Sequence, residues 1–301
     1  MGREDSRRYA AVDIGTNSTR LLIAEVEDGR VCPKFAALRV SRVGEGMVKG
    51  EGLRPEGVAR TLQVLKEYRG LLGEHGVDAW RVVATSAVRE AANSAEFVDK
   101  VREETGLRVD VISGEEEAYL SYIGACGALP EAEGAVVVDI GGGSTEFTYR
   151  RAEAGKDVLV CRSVPVGAVR MTERPVLLDG ILALMKEVLD EIGGLRTKRL
   201  VGVGGTVTTL AAVDQGLVTY DWRRVHGYRL QREAVERILF RLAAKTIEER
   251  KGVPGLQPER ADIIVAGTTI LWAILGYLEA PEITVSEADI LYGIILELSR
   301  G

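Results

Sequence analysis

Two short turns of small polar residues, each placed between two apolar strand patterns, constrain the fold of this chain more than any other feature. The first turn is DIGTNSTR at residues 13–20, and the second is DIGGGSTE at residues 139–146. Aligning Asp13 with Asp139 superimposes the first glycine and the serine of the two turns at an offset of 126 residues. A structural unit that recurs at a fixed offset indicates a duplicated fold.

Around the two turns, short apolar strands alternate with helical patterns, which is typical of an α/β fold. Helices are predicted near residues 55–72, 95–105 and 177–192, and strands at residues 81–84, 108–112, 158–164 and 199–203. The rest of the chain after residue 203 is predicted to be mostly helical. Small residues cluster near residues 124–134, so we place domain I at residues 1–126 and domain II at residues 127–301.

Composition limits the classes of partner and the compartment. A chain of 301 residues with 46% hydrophobic content supports two cores, and its net charge of −6 argues against nucleic-acid and membrane-surface binding. The apolar run 263–278 is shorter than the roughly 20 residues that span a bilayer, so we predict a buried helix. The N-terminus is charged and unlike a signal peptide, and the three cysteines form no Cys-x-x-Cys pair. We therefore expect a cytoplasmic protein.

Glycine-rich turns suit phosphate because backbone N–H groups approach an anion closely only where side chains are absent. A third such turn, GVGGT at residues 202–206, follows an apolar strand and opens a helix, whose N-terminus favours anions. Any one of these turns alone is equally well explained as a tight turn, but three are harder to explain so. The P-loop and dinucleotide patterns are absent. The predicted phosphate-binding residues of the turns are Gly15, Thr16, Asn17, Ser18, Gly141, Gly142, Gly143, Ser144, Thr145, Gly204, Gly205 and Thr206.

Carboxylates at the turns are candidate metal ligands. Asp13 and Asp139 end apolar strands directly before the glycines, where a carboxylate can hold Mg²⁺ while the turn holds phosphate. The alternative is that each aspartate caps its own turn. Glu146 is a further candidate for the metal side, and Mn²⁺ is an alternative ion. The two histidines belong to no metal-binding pair, which argues against a histidine-based centre.

A helix start at residues 113–118 supplies a candidate general base. Ser113 and Glu116 match the capping box, which gives Glu116 a structural task. Glu117 projects to a different side of the helix and is a candidate to activate a water. By spacing alone, a solvated acid in the first turn of a helix is the better explanation of Glu117.

Three arginines are candidates to neutralise phosphate. Arg20 follows the first turn, Arg89 begins a helix after a strand, and Arg260 lies in the segment PERAD at residues 258–262. By composition alone, each is better explained as half of a surface ion pair.

Together these segments resemble the exopolyphosphatase and guanosine-pentaphosphate phosphohydrolase (Ppx/GppA) family, within the sugar kinase, Hsp70 and actin superfamily. The matching segments are residues 11–20, 85–89, 112–118, 139–146, 204–206 and 259–267. The resemblance implies two actin-like, ribonuclease H-like domains that close over a cleft, with a C-terminal helix of about residues 288–301 packing back on domain I. It also implies that Glu117 is the catalytic base, that Asp13 and Asp139 lie by Mg²⁺, and that the three arginines face phosphate.

The resemblance implies a Mg²⁺-dependent hydrolase that removes terminal phosphate from inorganic polyphosphate or the 5′ γ-phosphate of guanosine pentaphosphate, and hence a link to the stringent response. Long members of the family carry a further helical region, so we favour short polyphosphate here. A homodimer is common in the family. Where the family often shows Leu-Arg-Glu-Gly, this chain has ILYG at residues 290–293.

Two other functions use the same motifs. One is binding or sensing of guanosine penta- and tetraphosphate without turnover, and the other is a small-molecule kinase of the same superfamily. Glu117 and the lack of a sugar-acceptor motif favour hydrolysis.

Overall fold

The computed structural model describes residues 7–48, 50–153, 155–195 and 199–301. The chain forms two compact units: unit 1 comprises Met1–Ala128 with Ile290–Gly301, and unit 2 comprises Leu129–Asp289. The predicted division after residue 126 lies two residues before the end of the first segment of unit 1. The predicted cleft between the domains stays a prediction.

Both units consist of strands and helices in alternation. Unit 1 contains β1 (Arg8–Ile14), β2 (Thr19–Glu27), β3 (Arg30–Arg39), α1 (Pro55–Glu74), β4 (Ala79–Ala84), α2 (Ser86–Glu90), α3 (Ser94–Thr105), β5 (Val109–Val111) and α4 (Gly114–Ala128). Unit 2 contains β6 (Val136–Ile140), β7 (Thr145–Glu153), β8 (Lys156–Val164), α5 (Ala168–Glu173), α6 (Leu178–Gly193), β9 (Leu200–Val203), α7 (Gly204–Asp214), α8 (Trp222–Val225), β10 (Arg229–Gln231), α9 (Arg232–Ala243), α10 (Ile247–Lys251), α11 (Ile264–Tyr277) and β11 (Glu282–Val285). The last helix, α12 (Ile290–Arg300), belongs to unit 1.

The two units repeat one sheet topology. The strand order is β3-β2-β1-β4-β5 in unit 1 and β8-β7-β6-β9-β11-β10 in unit 2. In unit 1, β1 pairs antiparallel with β2 and parallel with β4. In unit 2, β6 pairs antiparallel with β7 and parallel with β9. The duplicated α/β fold predicted from the repeated turns is therefore confirmed.

The central strand β1 is buried on both faces, because helices cover both sides of its sheet. Val12 belongs to the core that includes Leu65 of α1. Its neighbour Ala11 points to the other face and lies in a second core with Leu120 of α4 and Ile294 of α12. The strand therefore reads as an uninterrupted apolar run, and the turn that follows it is held at the end of a rigid element.

Three strands were not predicted from the sequence. The strand β3 follows a two-residue hairpin loop, Asp28-Gly29, in which both residues have positive φ angles of 50° and 74°. Asp-Gly is a preferred pair for such a loop, so a signal for β3 was present in the sequence. The strands β10 and β11 lie in the region predicted to be mostly helical, and each is too short to show a periodic pattern.

The apolar run predicted as a buried helix forms α11, whose side chains contribute to the core of unit 2. Among the described residues, none of the helices combines the length and the hydrophobicity that crossing a bilayer requires.

The backbones of helices α12 and α4 lie in direct contact where the two helices cross. A Cβ atom added to Gly293 would lie 2.0 Å from the carbonyl oxygen of Leu120, so only glycine fits at this crossing. In contrast, a Cβ added to Gly70, an exposed position in α1, would meet nothing within 4 Å.

We expect Gly293→Ala to lower the free energy of unfolding by about 2 kcal/mol or more, because the helix backbones must move apart. Gly70→Ala is the matched control and raises stability by about 0.5–1 kcal/mol, because alanine favours a helix interior over glycine. Urea denaturation measures both values. Equal midpoints for the two variants would show that the α4–α12 contact is looser than described.

Candidate functional site

The two Asp-Ile-Gly turns have the same backbone geometry. The N–H of Gly15 donates to the carbonyl oxygen of Ser18 over 3.0 Å, and Gly141 donates to Ser144 over 3.0 Å. A Cβ on either glycine would lie 3.1 Å from that carbonyl oxygen, so both turns favour glycine for the same reason. The equivalence predicted from the sequence is confirmed in the backbone.

In unit 1, the carbonyl groups of the turn are held by the loop after β3. Thr16 O accepts a hydrogen bond from Gly44 N at 3.1 Å, and Asn17 O accepts one from Arg42 N at 2.8 Å. The amide Nδ2 of Asn17 is buried and has no hydrogen-bond partner within the described residues. Because a buried donor left unpaired costs about 1–3 kcal/mol, this amide is suited to an acceptor from a ligand.

In unit 2, the turn is held by α5. Gly142 O accepts hydrogen bonds from Val169 N at 2.8 Å and Arg170 N at 3.1 Å. The Arg170 Nε atom donates to Gly143 O over 2.6 Å. Since N–H and C=O point in opposite directions across a trans peptide, this holds the N–H groups that follow Gly142 and Gly143 away from α5. Arg170 was not predicted as a site residue, because its role arises from a tertiary contact and not from a local motif.

At the strand ends, the two units differ in charge. The sheet register pairs Asp13 with Arg20 in unit 1 and Asp139 with Glu146 in unit 2. Arg20 donates from Nη2 and Nε to Oδ2 of Asp13 at 2.7 and 3.1 Å. Asp13 thus has a cationic partner within the protein, and a metal role for it requires sharing that carboxylate with Arg20.

The carboxylate pair in unit 2 fits a divalent cation. Asp139 and Glu146 are 8% and 1% exposed, and they lie directly opposite each other on adjacent strands. Like charges in that arrangement destabilise a sheet, and a bound cation offsets this cost. Ser163 Oγ donates to Glu146 Oε1 over 2.7 Å and orients that carboxylate.

Within the described ranges, no group of three or more His, Cys, Asp or Glu side chains forms a metal site. Mg²⁺ usually takes one or two carboxylates and completes its octahedral shell with water and phosphate oxygens. Asp139 and Glu146 are suited to that kind of site and not to an all-protein cage.

Glu117 is held by a salt bridge to Arg89. Arg89 Nη1 donates to Glu117 Oε2 over 2.9 Å and to Ile112 O over 3.0 Å. The Glu117 side chain is only 12% exposed, so it is not the solvated acid that spacing alone favours. Its neighbour Glu116 instead binds Arg81 Nη2 at 2.6 Å.

The predicted capping box is half formed. Ser113 Oγ accepts from Glu116 N at 3.1 Å, while the Glu116 carboxylate binds the guanidinium of Arg81. The two neighbouring glutamates therefore bind different arginines, and Glu116 performs its predicted structural task mainly through Arg81.

The site residues of unit 1 meet at one edge of its sheet. Thr85 N donates to Ile14 O over 3.2 Å, and Ile112 N donates to Ala84 O over 3.1 Å, which aligns the carboxyl ends of β1, β4 and β5. Ligands of open α/β sheets bind at this edge. The turn after β1, Arg89 and Glu117 are thus brought to one side of unit 1.

The third glycine turn lies beside Asp139 and Arg260. Gly204 has a φ angle of +84°, and a Cβ there would lie 2.6 Å from Asp139 Oδ1. A Cβ on Gly205 would lie 2.1 Å from Arg260 Nη1, so the guanidinium packs on the glycine backbone. Gln257 Oε1 accepts from Arg260 Nε at 2.8 Å and orients it. The structure therefore joins three predicted features of unit 2, namely a carboxylate, a helix N-terminus and an arginine.

Comparison with known proteins gives a consistent assignment. The family model of the Ppx/GppA phosphatase family matches residues 22–300. Exopolyphosphatase 2 of Mycobacterium tuberculosis is 36% identical over 97% of this chain and 98% of its own length. The bifunctional 3-dehydroquinate synthase/phosphatase of Fusobacterium nucleatum is 35% identical, and the match covers 96% of this chain and 46% of that protein.

Solved structures support the same assignment. The Ppx/GppA family member of Aquifex aeolicus has a TM-score of 0.78 at 31% identity, covering 98% of each chain. An exopolyphosphatase from Cytophaga hutchinsonii has a TM-score of 0.87 at 27% identity, again covering 98% of each chain. With the family model matched over nearly the whole sequence, this chain belongs to the Ppx/GppA phosphatase family.

Proposed function

We propose that this chain is a Mg²⁺-dependent phosphatase that removes the terminal phosphate of inorganic polyphosphate or the 5′ γ-phosphate of guanosine pentaphosphate. Family membership supports phosphoanhydride hydrolysis. Relatives named exopolyphosphatase 2 and guanosine-5'-triphosphate,3'-diphosphate pyrophosphatase support the two substrates. The observation that carries the proposal is the largely buried Glu117 at the same sheet edge as the phosphate turn of unit 1.

Glu117 is the general base. A carboxylate accepts several hydrogen bonds, so the bond from Arg89 leaves capacity for a water molecule. Glu117 takes one proton from that water, and the water oxygen forms a bond to the terminal phosphorus. The P–O anhydride bond then breaks, and its electron pair leaves with the shortened chain.

Phosphate oxygens are bound by backbone and side-chain donors in each unit. In unit 1 these are the N–H groups of the turn, the Asn17 amide and Arg89. In unit 2, the N–H groups of Gly143 and Ser144 and the start of α7 bind phosphate with Arg260.

Asp139 and Glu146 hold the metal ion, with Asp13 as the further carboxylate predicted from the sequence. Bound Mg²⁺ neutralises charge on the phosphate oxygens. The hydroxyl of Ser163 donates a hydrogen bond to the Glu146 carboxylate and keeps it oriented for metal binding.

We expect Glu117→Gln to lower kcat by about 100-fold or more, because general-base catalysis contributes about 10²–10⁴-fold. Glu116→Gln is the matched control on the adjacent position and keeps a rate near wild type, since it breaks only a half-exposed ion pair with Arg81. Phosphate release from tripolyphosphate, long polyphosphate and guanosine pentaphosphate measures both variants.

If Glu117→Gln hydrolyses these substrates at the wild-type rate, Glu117 is not the general base. Tight binding of guanosine pentaphosphate by the wild type, without phosphate release from any of the three substrates, would favour the sensing function. Phosphate transfer to a small-molecule acceptor would favour the kinase.

We expect Gly205→Ala to raise KM by about 10-fold with little change in melting temperature. The new methyl group displaces the flexible Arg260 guanidinium, and a lost charged hydrogen bond costs about 1.5–3 kcal/mol. Gly276→Ala is the control, because a Cβ there meets nothing within 4 Å. An unchanged KM in Gly205→Ala would show that Arg260 does not bind the phosphate of the substrate.

We expect Asp139→Asn to raise the Mg²⁺ concentration needed for half-maximal activity by about 10-fold or more, since a neutral amide is a poorer ligand for a hard cation. Asp157→Asn, at an exposed position of β8, leaves the Mg²⁺ requirement unchanged. Titration of EDTA-treated enzyme with Mg²⁺ compares them. Identical titration curves would contradict the assignment of Asp139 to the metal.

A further inference from the structure

Unit 2 has a concavity that the phosphatase chemistry does not use. It measures about 650 Å³ and is lined by residues 216–224, between α7 and the end of α8. Two aromatic side chains of its lining, Tyr220 and Trp222, are 39% and 48% exposed. Large exposed aromatic side chains that line a concave surface are typical of ligand sites.

The concavity is connected to the third glycine turn through α7. The Tyr220 hydroxyl hydrogen-bonds to the carboxylate of Glu287 and lies within hydrogen-bonding reach of the Thr208 hydroxyl. Thr208 Oγ1 in turn donates to Gly204 O over 3.2 Å. Thr208 is about one helical turn, or ~6 Å, along α7 from Gly204, the first residue of that helix.

The positive charge of Arg260 also reaches from the third glycine turn to the concavity. Arg260 packs on Gly205 at the start of α7, and its positive charge acts on the Tyr220 hydroxyl. Burial and the neighbouring Glu287 raise the pKa of Tyr220, so its hydroxyl stays neutral at ordinary pH. The start of α7 with Arg260 and the hydroxyl of Tyr220 therefore lie in the same part of unit 2.

The wall of the concavity is fixed by its own hydrogen bonds. Asp221 caps α8 by accepting from Arg223 N at 3.0 Å. Gln215 Nε2 donates to Arg224 O over 3.0 Å and ties this segment to the end of α7. The guanidinium of Arg223 lies 5.1 Å from the centroid of the Trp222 ring, which is a cation–π contact.

Aromatic rings and a guanidinium bind flat, π-bearing groups by stacking, whichever base is present. Inorganic polyphosphate has no such group, and a nucleoside polyphosphate has one. We infer that residues 216–224 form a base pocket, in which the purine of a nucleoside polyphosphate stacks on Trp222 and Tyr220 while its phosphates bind at the third glycine turn. This inference rests on the proposed phosphate-binding role of that turn and selects the nucleotide substrate of the two proposed.

Calorimetric titration of the full chain with guanosine tetraphosphate and with tripolyphosphate, both in Mg²⁺, tests the pocket. Every protein in this titration carries Glu117→Gln, so that tripolyphosphate stays intact while it is measured. We expect Trp222→Ala to raise the Kd for guanosine tetraphosphate by about 10-fold, the factor that one stacked base contributes. Its Kd for tripolyphosphate stays at the wild-type value. Phe240→Ala removes a more exposed aromatic side chain from α9, outside the concavity, and is expected to change neither constant.

Three results would overturn the base pocket. These are no binding of guanosine tetraphosphate by the wild type, the same affinity in wild type and Trp222→Ala, or an equal loss of affinity for both ligands. Tyr220→Ala is the second variant, expected to act in the same direction as Trp222→Ala.

The pocket and the proposed function fail independently. If tripolyphosphate is hydrolysed but Trp222→Ala binds guanosine tetraphosphate as the wild type does, the pocket is wrong and the phosphatase stands. If no substrate releases phosphate but Trp222→Ala weakens nucleotide binding selectively, the phosphatase is wrong and the pocket stands.

Discussion

One backbone hydrogen bond, made once in each unit, sets the arrangement of the rest of the structure. Gly15 and Gly141 each donate to the serine carbonyl three residues later over 3.0 Å. This bond reverses the chain within a few residues, so the next strand pairs antiparallel while the other edge of the central strand remains for a parallel neighbour. The parallel neighbours then bring Arg89 and Glu117 in unit 1, and the start of α7 in unit 2, to the carboxyl edge of their sheets.

The duplication preserved the turn and changed the charge beside it. The residue opposite the aspartate is Arg20 in unit 1 and Glu146 in unit 2. The first combination neutralises itself within the protein, and the second concentrates negative charge at a buried position. The same turn geometry thus carries an ion pair in unit 1 and two acidic side chains in unit 2, and this difference in charge follows from a single position.

The sequence predicted the features that rest on local chemistry. The turns, the strands before them and the long helices were found because glycine turns and apolar periodicity are properties of neighbouring residues. The strands β10 and β11 were missed because they are only three and four residues long and lie in the tail that was predicted to be mostly helical. The strand β3 was missed although the pair Asp28-Gly29 before it is a local signal for a two-residue hairpin loop.

At the candidate site, residue types were predictable and partners were not. Glu117 was a candidate by its position and became the favoured base only through the resemblance, because its burial and its bond to Arg89, 28 positions away, are tertiary features. Arg170 and the aromatic concavity carry no motif and depend on tertiary contacts, namely that of α5 with the second turn and that of Tyr220 with Glu287. Tertiary structure therefore decides which of many acidic and basic residues are placed to act on a phosphate.

The central claim is that water, activated at Glu117, attacks the terminal phosphorus. Hydrolysis of tripolyphosphate in ¹⁸O-labelled water, followed by mass spectrometry of both products, tests it directly. The account predicts a single ¹⁸O atom in the released orthophosphate and none in the remaining pyrophosphate. Label in the pyrophosphate would place the attack on the inner phosphorus, and the absence of label from both products would show that water is not the nucleophile.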